Sequence, residues 1–256
     1  MEKVLNLYKP RGETPLQTLE KFREQNPEYE KEKMTYAGRL DPMAEGILLV
    51  LVGDETKNRE AYTAFDKEYV FEWIFGLSTD TYDLLGLVEK PLEDFVEPKE
   101  KDVVDFIKKA KGKISQVYPP FSSKVVDGKS LFSLAKAGRI REKDLPEHEV
   151  EISKTEYLGS RILGKDALEN FIAKTIATVD GDFRQKQITL DWKNRLSKSD
   201  REQYTIHKAK ISVSSGFYVR QFVFDLGRHF QTSAVTFSIM RTSVGMYNID
   251  KSLHLH

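Results

Sequence analysis

Apolar positions along the chain follow two periods, alternation every second residue and recurrence every three to four residues, which indicates both strands and helices. The pattern predicts helices at 15–26, 102–110, 131–137, 166–177 and 218–230. It predicts strands at 3–7, 47–52, 69–75, 150–158, 205–213 and 239–247. Because the elements mix without a regular βαβ alternation, the predicted class is α+β with a mixed central sheet.

Local signals predict where several elements begin and end. Thr14 is a predicted N-cap with Pro15 at the first helical position, and Gly112 is a predicted C-cap. Residues 181–200 are polar, so we expect a loop-rich surface insertion there. The tail that carries His254 and His256 is expected to be frayed.

Composition narrows the class of protein. The chain has 256 residues, 39% of them hydrophobic and 31% charged, which is typical of a folded protein with a sizeable core. It has no cysteine, which excludes disulfides, thiolate metal sites and a cysteine nucleophile. The chain shows neither a signal peptide nor a membrane span, and we expect a cytoplasmic protein. Nucleotide-binding, hydrolase and metal-ligand motifs are also missing, so neither a cofactor nor a metal is predicted.

Charge is unevenly distributed along this chain of zero net charge. Residues 121–143 contain six basic and two acidic side chains, and residues 207–256 contain the same numbers. Segregation of this kind permits a basic face, which a nucleic-acid partner would need.

One carboxylate stands out because it directly precedes a wholly apolar strand. Asp41 lies between Leu40 and Pro42 in the segment GRLDPMAEG, and the run ILLVLV follows. Asp41 is either an N-cap with Pro42 at the first helical position, or a nucleophile. A nucleophilic carboxylate needs a cation to hold it and apolar surroundings to exclude water.

Arg220 is the candidate for that cation. It lies in the segment SSGFYVRQFVFDLG among aromatic and aliphatic residues, where an arginine is usually paired. The neighbouring Asp225 is an equally good partner on composition alone.

Together these segments resemble the TruB family of pseudouridine synthases, which modify the T arm of tRNA. The resemblance rests on motifs in family order: YKPRG (8–12), GRLDPMAEG (38–46), VGDETK (52–57), DKEYVF (66–71), STDTYDLLG (78–86), PPFSSKVVDGKSLFSLAKAG (119–138), SSGFYVRQFVFDLG (214–227) and MRTSVGMY (240–247). It implies one catalytic domain over residues 1–256, with a mixed, mostly antiparallel central sheet flanked by helices.

The resemblance also implies roles by position. Asp41 matches the catalytic nucleophile, Tyr69 the tyrosine that stacks on the target uracil and assists proton transfer, and Arg220 the arginine that pairs with the carboxylate. The substrate-binding set is Tyr36, Tyr218, Ile239, Lys9, Lys57 and Asp80. Each motif also has an ordinary alternative: Tyr69 as a half-buried strand aromatic, STDTYD as a polar turn, and Lys124 and Lys129 as solvated surface.

The implied reaction flips a uridine out of RNA and isomerises it after attack by Asp41 at the ribose anomeric carbon or at the uracil ring. No cofactor, metal or nucleotide is required. The implied partner is RNA, with the uridine at position 55 in the T arm of tRNA as the target, and we expect a monomer.

Three features depart from the family pattern and keep other functions open. Tyr36 stands where histidine is usual, Arg39 replaces a small residue, and GRLD is closer to synthases of ribosomal RNA. Residues 159–204 form a longer insertion than the family norm, and we expect the small C-terminal RNA-binding domain to be absent. The alternatives are a ribosomal-RNA pseudouridine synthase, a non-catalytic tRNA-folding protein, and a small-molecule glycosidase that uses Asp80 or Asp83 as a second carboxylate.

Overall fold

A central sheet and seven helices account for most of the chain in the computed structural model, which describes residues 2–90 and 95–255. The strands are β1 (Val4–Lys9), β2 (Met34–Ala37), β3 (Ala44–Val52), β4 (Lys67–Phe75), β5 (Gly112–Val117), β6 (Val125–Val126), β7 (Lys129–Ser130), β8 (Glu147–Gly164), β9 (Gln203–Val213), β10 (Ala234–Val244) and β11 (Tyr247–Asn248). The helices are α1 (Pro15–Gln25), α2 (Arg59–Thr63), α3 (Glu100–Lys109), α4 (Leu131–Lys136), α5 (Lys165–Ala177), α6 (Gln185–Ser197) and α7 (Val219–His229). None of the helices among these residues is both long and apolar enough to span a bilayer.

The sheet has nine strands in the order β1-β3-β10-β4-β9-β8-β5, with β2 beside β3 and β11 beside β10. Every pairing is antiparallel except that of β3 with β10. The predicted α+β class with a mixed, mostly antiparallel sheet is therefore confirmed. β6 and β7 form a separate small hairpin before α4.

Apolar cores cover both faces of the sheet because successive strand residues point to opposite sides. Trp73 and Phe75 of β4 pack into a core that includes buried residues of α3 and α7. Their neighbour Ile74 packs into a second core, which α5 and α6 close. Both surfaces of β4 and β10 are thereby buried, which fixes the centre of the sheet.

Helix ends agree with the sequence signals in one case and not in another. Thr14 and Gln17 form a capping box at α1, with Pro15 in the first turn, as predicted. Gly112 is not the C-cap of α3, because Ala110 caps that helix and Gly112 opens β5.

The prediction of a loop-rich insertion at residues 181–200 is wrong. Most of this stretch is α6, whose Ile188, Trp192 and Leu196 are buried in the second core. The indole nitrogen of Trp192 donates to the carbonyl of Leu84, 3.0 Å away. Four-residue spacing of the three apolar residues is the signal that distinguishes this helix from a polar loop.

The prediction of a frayed tail is also wrong as far as Leu255. Leu253 bridges to Leu7 of β1, and its carbonyl accepts a hydrogen bond of 2.8 Å from the amide of Tyr8. The ring of His254 stacks on Tyr8 with centroids 4.3 Å apart. His256, part of the same prediction, lies outside the described residues.

Candidate active site

Asp41 lies in a turn that leads directly into β3. Its carbonyl accepts a hydrogen bond of 3.0 Å from the amide of Ala44, with Pro42 inside the turn, and no helix follows. The N-cap alternative for Asp41 is therefore excluded. The amide of Gly12 donates to the carbonyl of Pro42 at 2.8 Å, which joins the YKPRG segment to this turn.

Arg220, in the first turn of α7, holds the Asp41 carboxylate. Its Nε donates to Asp41 Oδ2 at 2.8 Å, although the two residues are 179 positions apart. The Arg220 side chain is 3% exposed and that of Asp41 is 39% exposed, so the carboxylate has one buried partner and one open side. The three guanidinium nitrogens of Arg220 donate to Asp41, Thr81 and Phe121, whereas the alternative partner Asp225 accepts a hydrogen bond from Gln221.

A second carboxylate lies on the buried side of Arg220. Asp83 Oδ2 is 3.7 Å from Arg220 Nε, and Asp83 Oδ1 accepts hydrogen bonds from Thr81 Oγ1 and the amide of Leu85. Burial raises the pKa of Asp83 to about 6, with Arg220 opposing the rise. Burial alone would lower the pKa of Arg220, but Asp41 and Asp83 together raise it, so the guanidinium stays charged.

Asp41 opens into a cavity of about 560 Å³. Four predicted substrate-binding or catalytic side chains line it together with Asp41 and Arg220: Tyr36, Tyr69, Tyr218 and Ile239. Tyr69 projects from β4 and Ile239 from β10, while Tyr218 directly precedes α7. Burial, with Asp41 adding to it, raises the pKa of Tyr218 to about 12.

Three residues of the predicted substrate-binding set lie outside the lining of this cavity. Lys9 is fully buried, and its ammonium donates to the carbonyls of Pro10 and Glu13 at 2.9 and 2.7 Å, so it supports a loop instead of facing substrate. Asp80 pairs with Arg184 at 2.8 Å. Lys57 is exposed and pairs with Asp54.

The structure adds one residue to the site, Arg241, which the sequence pattern alone did not single out. Its side chain is 1% exposed, and its Nη1 donates to the carbonyl of Arg39 at 3.1 Å while Nε and Nη2 donate to the carbonyl of Ile47. Arg241 thus fixes both ends of the segment that carries Asp41. A Cβ at Gly46 would lie 2.3 Å from the backbone oxygen of Arg241, so only glycine permits this approach.

Comparison with solved structures identifies the class of fold. A Cbf5–Nop10–Gar1 complex matches with a TM-score of 0.59 at 16% identity, over 99% of this chain and 52% of that chain. The archaeal box H/ACA sRNP Nop10–Cbf5 complex matches with a TM-score of 0.56 at 16% identity, over 99% and 51%. The chain therefore has the fold of these proteins and spans about half their length.

Sequence comparison identifies the family. Residues 27–163 match the model of the TruB family pseudouridylate synthase (N terminal domain). The tRNA pseudouridine synthase B of Fusobacterium nucleatum subsp. nucleatum is 29% identical over 98% of this chain and 70% of its own length. That of Clostridium kluyveri is 28% identical over 100% of this chain and 71% of its own length. The chain belongs to the TruB family and is a pseudouridine synthase, an isomerase.

Proposed function

We propose that this protein converts a uridine in the T arm of tRNA to pseudouridine, with Asp41 as the nucleophile. One observation carries the proposal: the half-buried Asp41 carboxylate faces the cavity and is held by Arg220, 2.8 Å away and almost fully buried. The names of the relatives from F. nucleatum and C. kluyveri support tRNA as the substrate. A tRNA substrate also agrees with the cytoplasmic location that the sequence predicts.

A uridine must leave the RNA stack before a side chain can reach its glycosidic bond. The cavity of about 560 Å³ is in the range that holds a small ligand, so it can take one flipped nucleoside. Tyr69 offers the aromatic face on which the uracil stacks, and Ile239 and Tyr218 complete the walls. Stacking of this kind offsets the few kcal/mol that unstacking costs.

The product has the same composition as the substrate. Attack by Asp41 leads to cleavage of the bond from uracil N1 to ribose C1′, and the uracil turns while it stays in the cavity. A bond then forms from uracil C5 to C1′, the bond to Asp41 breaks, the proton on C5 leaves to solvent, and N1 gains a proton. Arg220 aims the Asp41 carboxylate through a charge-assisted hydrogen bond.

Positive charge around the cavity supports a polyanionic substrate. Five basic residues line it, Arg39, Arg59, Lys67, Arg220 and Arg241, and Asp41 is the one acidic residue of that lining. Lys67, Arg220 and Arg241 are buried and donate to groups of the protein. The exposed Arg39 and Arg59 are the two that can reach phosphates, in line with the dominance of phosphate contacts in RNA affinity.

The other candidate functions have less support. A glycosidase needs two carboxylates that flank the bond, but Asp83 is 6% exposed and its Oδ1 already accepts two hydrogen bonds. A non-catalytic tRNA-folding protein has no use for a carboxylate that is paired with Arg220 and open to a cavity. A ribosomal-RNA substrate involves the same chemistry and is a matter for the assay.

The test is an assay of pseudouridine by position. Purified protein is incubated with unmodified tRNA and with a ribosomal-RNA fragment, and carbodiimide adducts are mapped by primer extension. We expect a new stop at the T-arm uridine of tRNA. Stops confined to ribosomal RNA would overturn the tRNA assignment, and no stop in either RNA, from folded protein that binds tRNA, would overturn catalysis. Light scattering on the same preparation checks the expected monomer.

A further inference from the structure

Two separate loops hold the guanidinium that holds Asp41. Arg220 Nη1 donates to the carbonyl of Thr81 at 2.7 Å, in the loop that follows β4. Arg220 Nη2 donates to the carbonyl of Phe121 at 3.2 Å, in the segment that precedes α4. The direction in which Arg220 aims at Asp41 therefore depends on the relative position of these two loops.

Another arginine, Arg184, also contacts both of these loops. Its Nη1 and Nη2 donate to the two carboxylate oxygens of Asp80, at 2.8 and 3.3 Å, and Asp80 directly precedes Thr81. Its guanidinium carbon lies 5.0 Å from the centroid of the Phe121 ring, within the distance of a cation–π contact. Arg184 thus connects Phe121, whose carbonyl accepts from Arg220, to Asp80. The next residue after Asp80 is Thr81, whose carbonyl also accepts from Arg220.

The loop that presents Arg184 is itself fastened. Gln185 donates from Nε2 to the carbonyls of Val179 and Gly181, at 3.0 and 2.6 Å, and its Oε1 accepts from the amide of Phe183 at 3.0 Å. Arg184 has a φ of 64°, in the left-handed region that few non-glycine residues occupy. Such a conformation persists where the surroundings impose it, and at a site it can mark a functional constraint.

Asp80 is likewise committed to this arrangement. Its Oδ1 also accepts a hydrogen bond from the amide of Leu87 at 2.8 Å, which closes its own loop. Both carboxylate oxygens of Asp80 therefore have partners inside the protein. A bidentate pair of this kind adds geometric definition that a lysine in place of Arg184 would not supply.

We propose that Arg184 is a positioning residue for catalysis: by bridging Asp80 and Phe121 it fixes the two backbone carbonyls that aim Arg220, and through Arg220 the nucleophile Asp41. Arg184, which lies outside the motifs that carry the family resemblance and outside the lining of the cavity of about 560 Å³, thereby acts on the reaction through Arg220. This inference rests on the proposed role of Asp41.

The test separates the chemical step from RNA binding. Single-turnover rate constants and dissociation constants for tRNA are measured for wild type, Arg184→Ala, Asp80→Asn and the double variant. We expect each single variant to lose about tenfold or more in rate, because small displacements of catalytic groups have large effects, with RNA affinity within about twofold of wild type. The double variant should be no slower than the slower single variant, because both changes break the same bridge.

Two further variants complete the design. Arg184→Lys should recover only part of the rate, since lysine keeps the charge but cannot form the bidentate pair. Lys186→Ala, an exposed neighbour on α6, should behave as wild type. If Arg184→Ala does not fold, Asp80→Asn, which keeps the side-chain shape, provides the measurement.

Several outcomes would overturn the inference. An unchanged rate in folded Arg184→Ala or Asp80→Asn would do so, as would rate losses that multiply in the double variant. Weaker RNA binding at an unchanged rate would also overturn it and return Asp80 to substrate binding. An inactive wild type would instead refute the proposed function, so the two failures can be told apart.

Discussion

Replacing Asp41 by asparagine removes the nucleophile and leaves the shape of the side chain unchanged. The amide oxygen of asparagine can still accept the hydrogen bond from Arg220 Nε, but it is a poor nucleophile. We expect the rate of pseudouridine formation to fall on the order of 10⁴-fold or more, as is typical when a nucleophile is removed. RNA should bind as well as before or slightly better, because a negative charge leaves a basic cavity.

The same change should cost little stability, and the structure gives the reason. The Asp41 side chain is 39% exposed, so solvent screens its pair with Arg220. Only the Asp41 end of the pair is exposed, and the buried Arg220 retains the carbonyls of Thr81 and Phe121 as acceptors, so we expect a loss of up to about 1 kcal/mol. In a chain of this size that free energy corresponds to a shift of roughly 2–4 °C in the melting temperature. In the variant, Arg220 also retains a second carboxylate neighbour, Asp83, whose Oδ2 is 3.7 Å from Arg220 Nε.

Tritium release gives the rate directly, because the reaction expels the hydrogen on uracil C5. RNA labelled with tritium at uridine C5 is incubated with wild type and Asp41→Asn, and radioactivity in water is counted. The matched control is Asp54→Asn, the same chemical change on a side chain that is 93% exposed and outside the cavity lining. Turnover by folded Asp41→Asn within about tenfold of wild type would refute the reasoning, and so would loss of activity in the control.

Three further predictions concern other groups. The pKa of Asp83 is about 6 in the fold and near 3.8 when unfolded, so Asp83 destabilises the fold as pH rises through that window. In urea titrations, the stability of wild type should fall by about 2 kcal/mol more than that of Asp83→Asn between pH 4 and pH 6, and equal falls would contradict this. Burial lowers the pKa of Lys9 from 10.5 to about 7. The free energy of unfolding of wild type should therefore rise by about 2–3 kcal/mol from pH 7 to pH 9, whereas that of Lys9→Met should show no such rise. The same pH dependence in both proteins would contradict this prediction. Arg39→Ala and Arg59→Ala should each weaken RNA binding and reduce the slope of log affinity against log salt by about 0.7, with the rate at saturating RNA unchanged. The control is Lys108→Ala, on the exposed side of α3. An unaltered slope in the two arginine variants would contradict their assignment to phosphate contacts.

Elements with a clear apolar period were predictable from the sequence, and those that depend on pairing were not. The run at residues 47–52 and the amphipathic faces of α5 and α7 lie within the predicted elements. β5 was missed because an edge strand with exposed Lys113 and Ser115 carries little apolar signal. α6 was missed because its three buried residues are separated by mostly polar ones, and only their spacing of four indicates a helix.

The candidate site shows the same division between local and tertiary information. Local sequence placed Asp41 before a buried strand and Arg220 among apolar residues. The partner of Arg220 could not follow from spacing, because Asp225 is close in sequence but lies five residues along the same helix, where side chains do not face each other. The buried Asp83 and Arg241 act on the site through backbone carbonyls and a shared guanidinium, contacts that form only when the sheet is assembled.

Net charge was the least informative property of the sequence, and the cavity shows why. Zero net charge counts against a nucleic-acid partner only if the charges are mixed over the surface. Here the one carboxylate in the cavity lining is paired with Arg220, whereas Arg39 and Arg59 keep exposed guanidinium groups at its rim. The local field at the nucleophile is therefore positive on a neutral chain, which is the arrangement a polyanionic substrate requires.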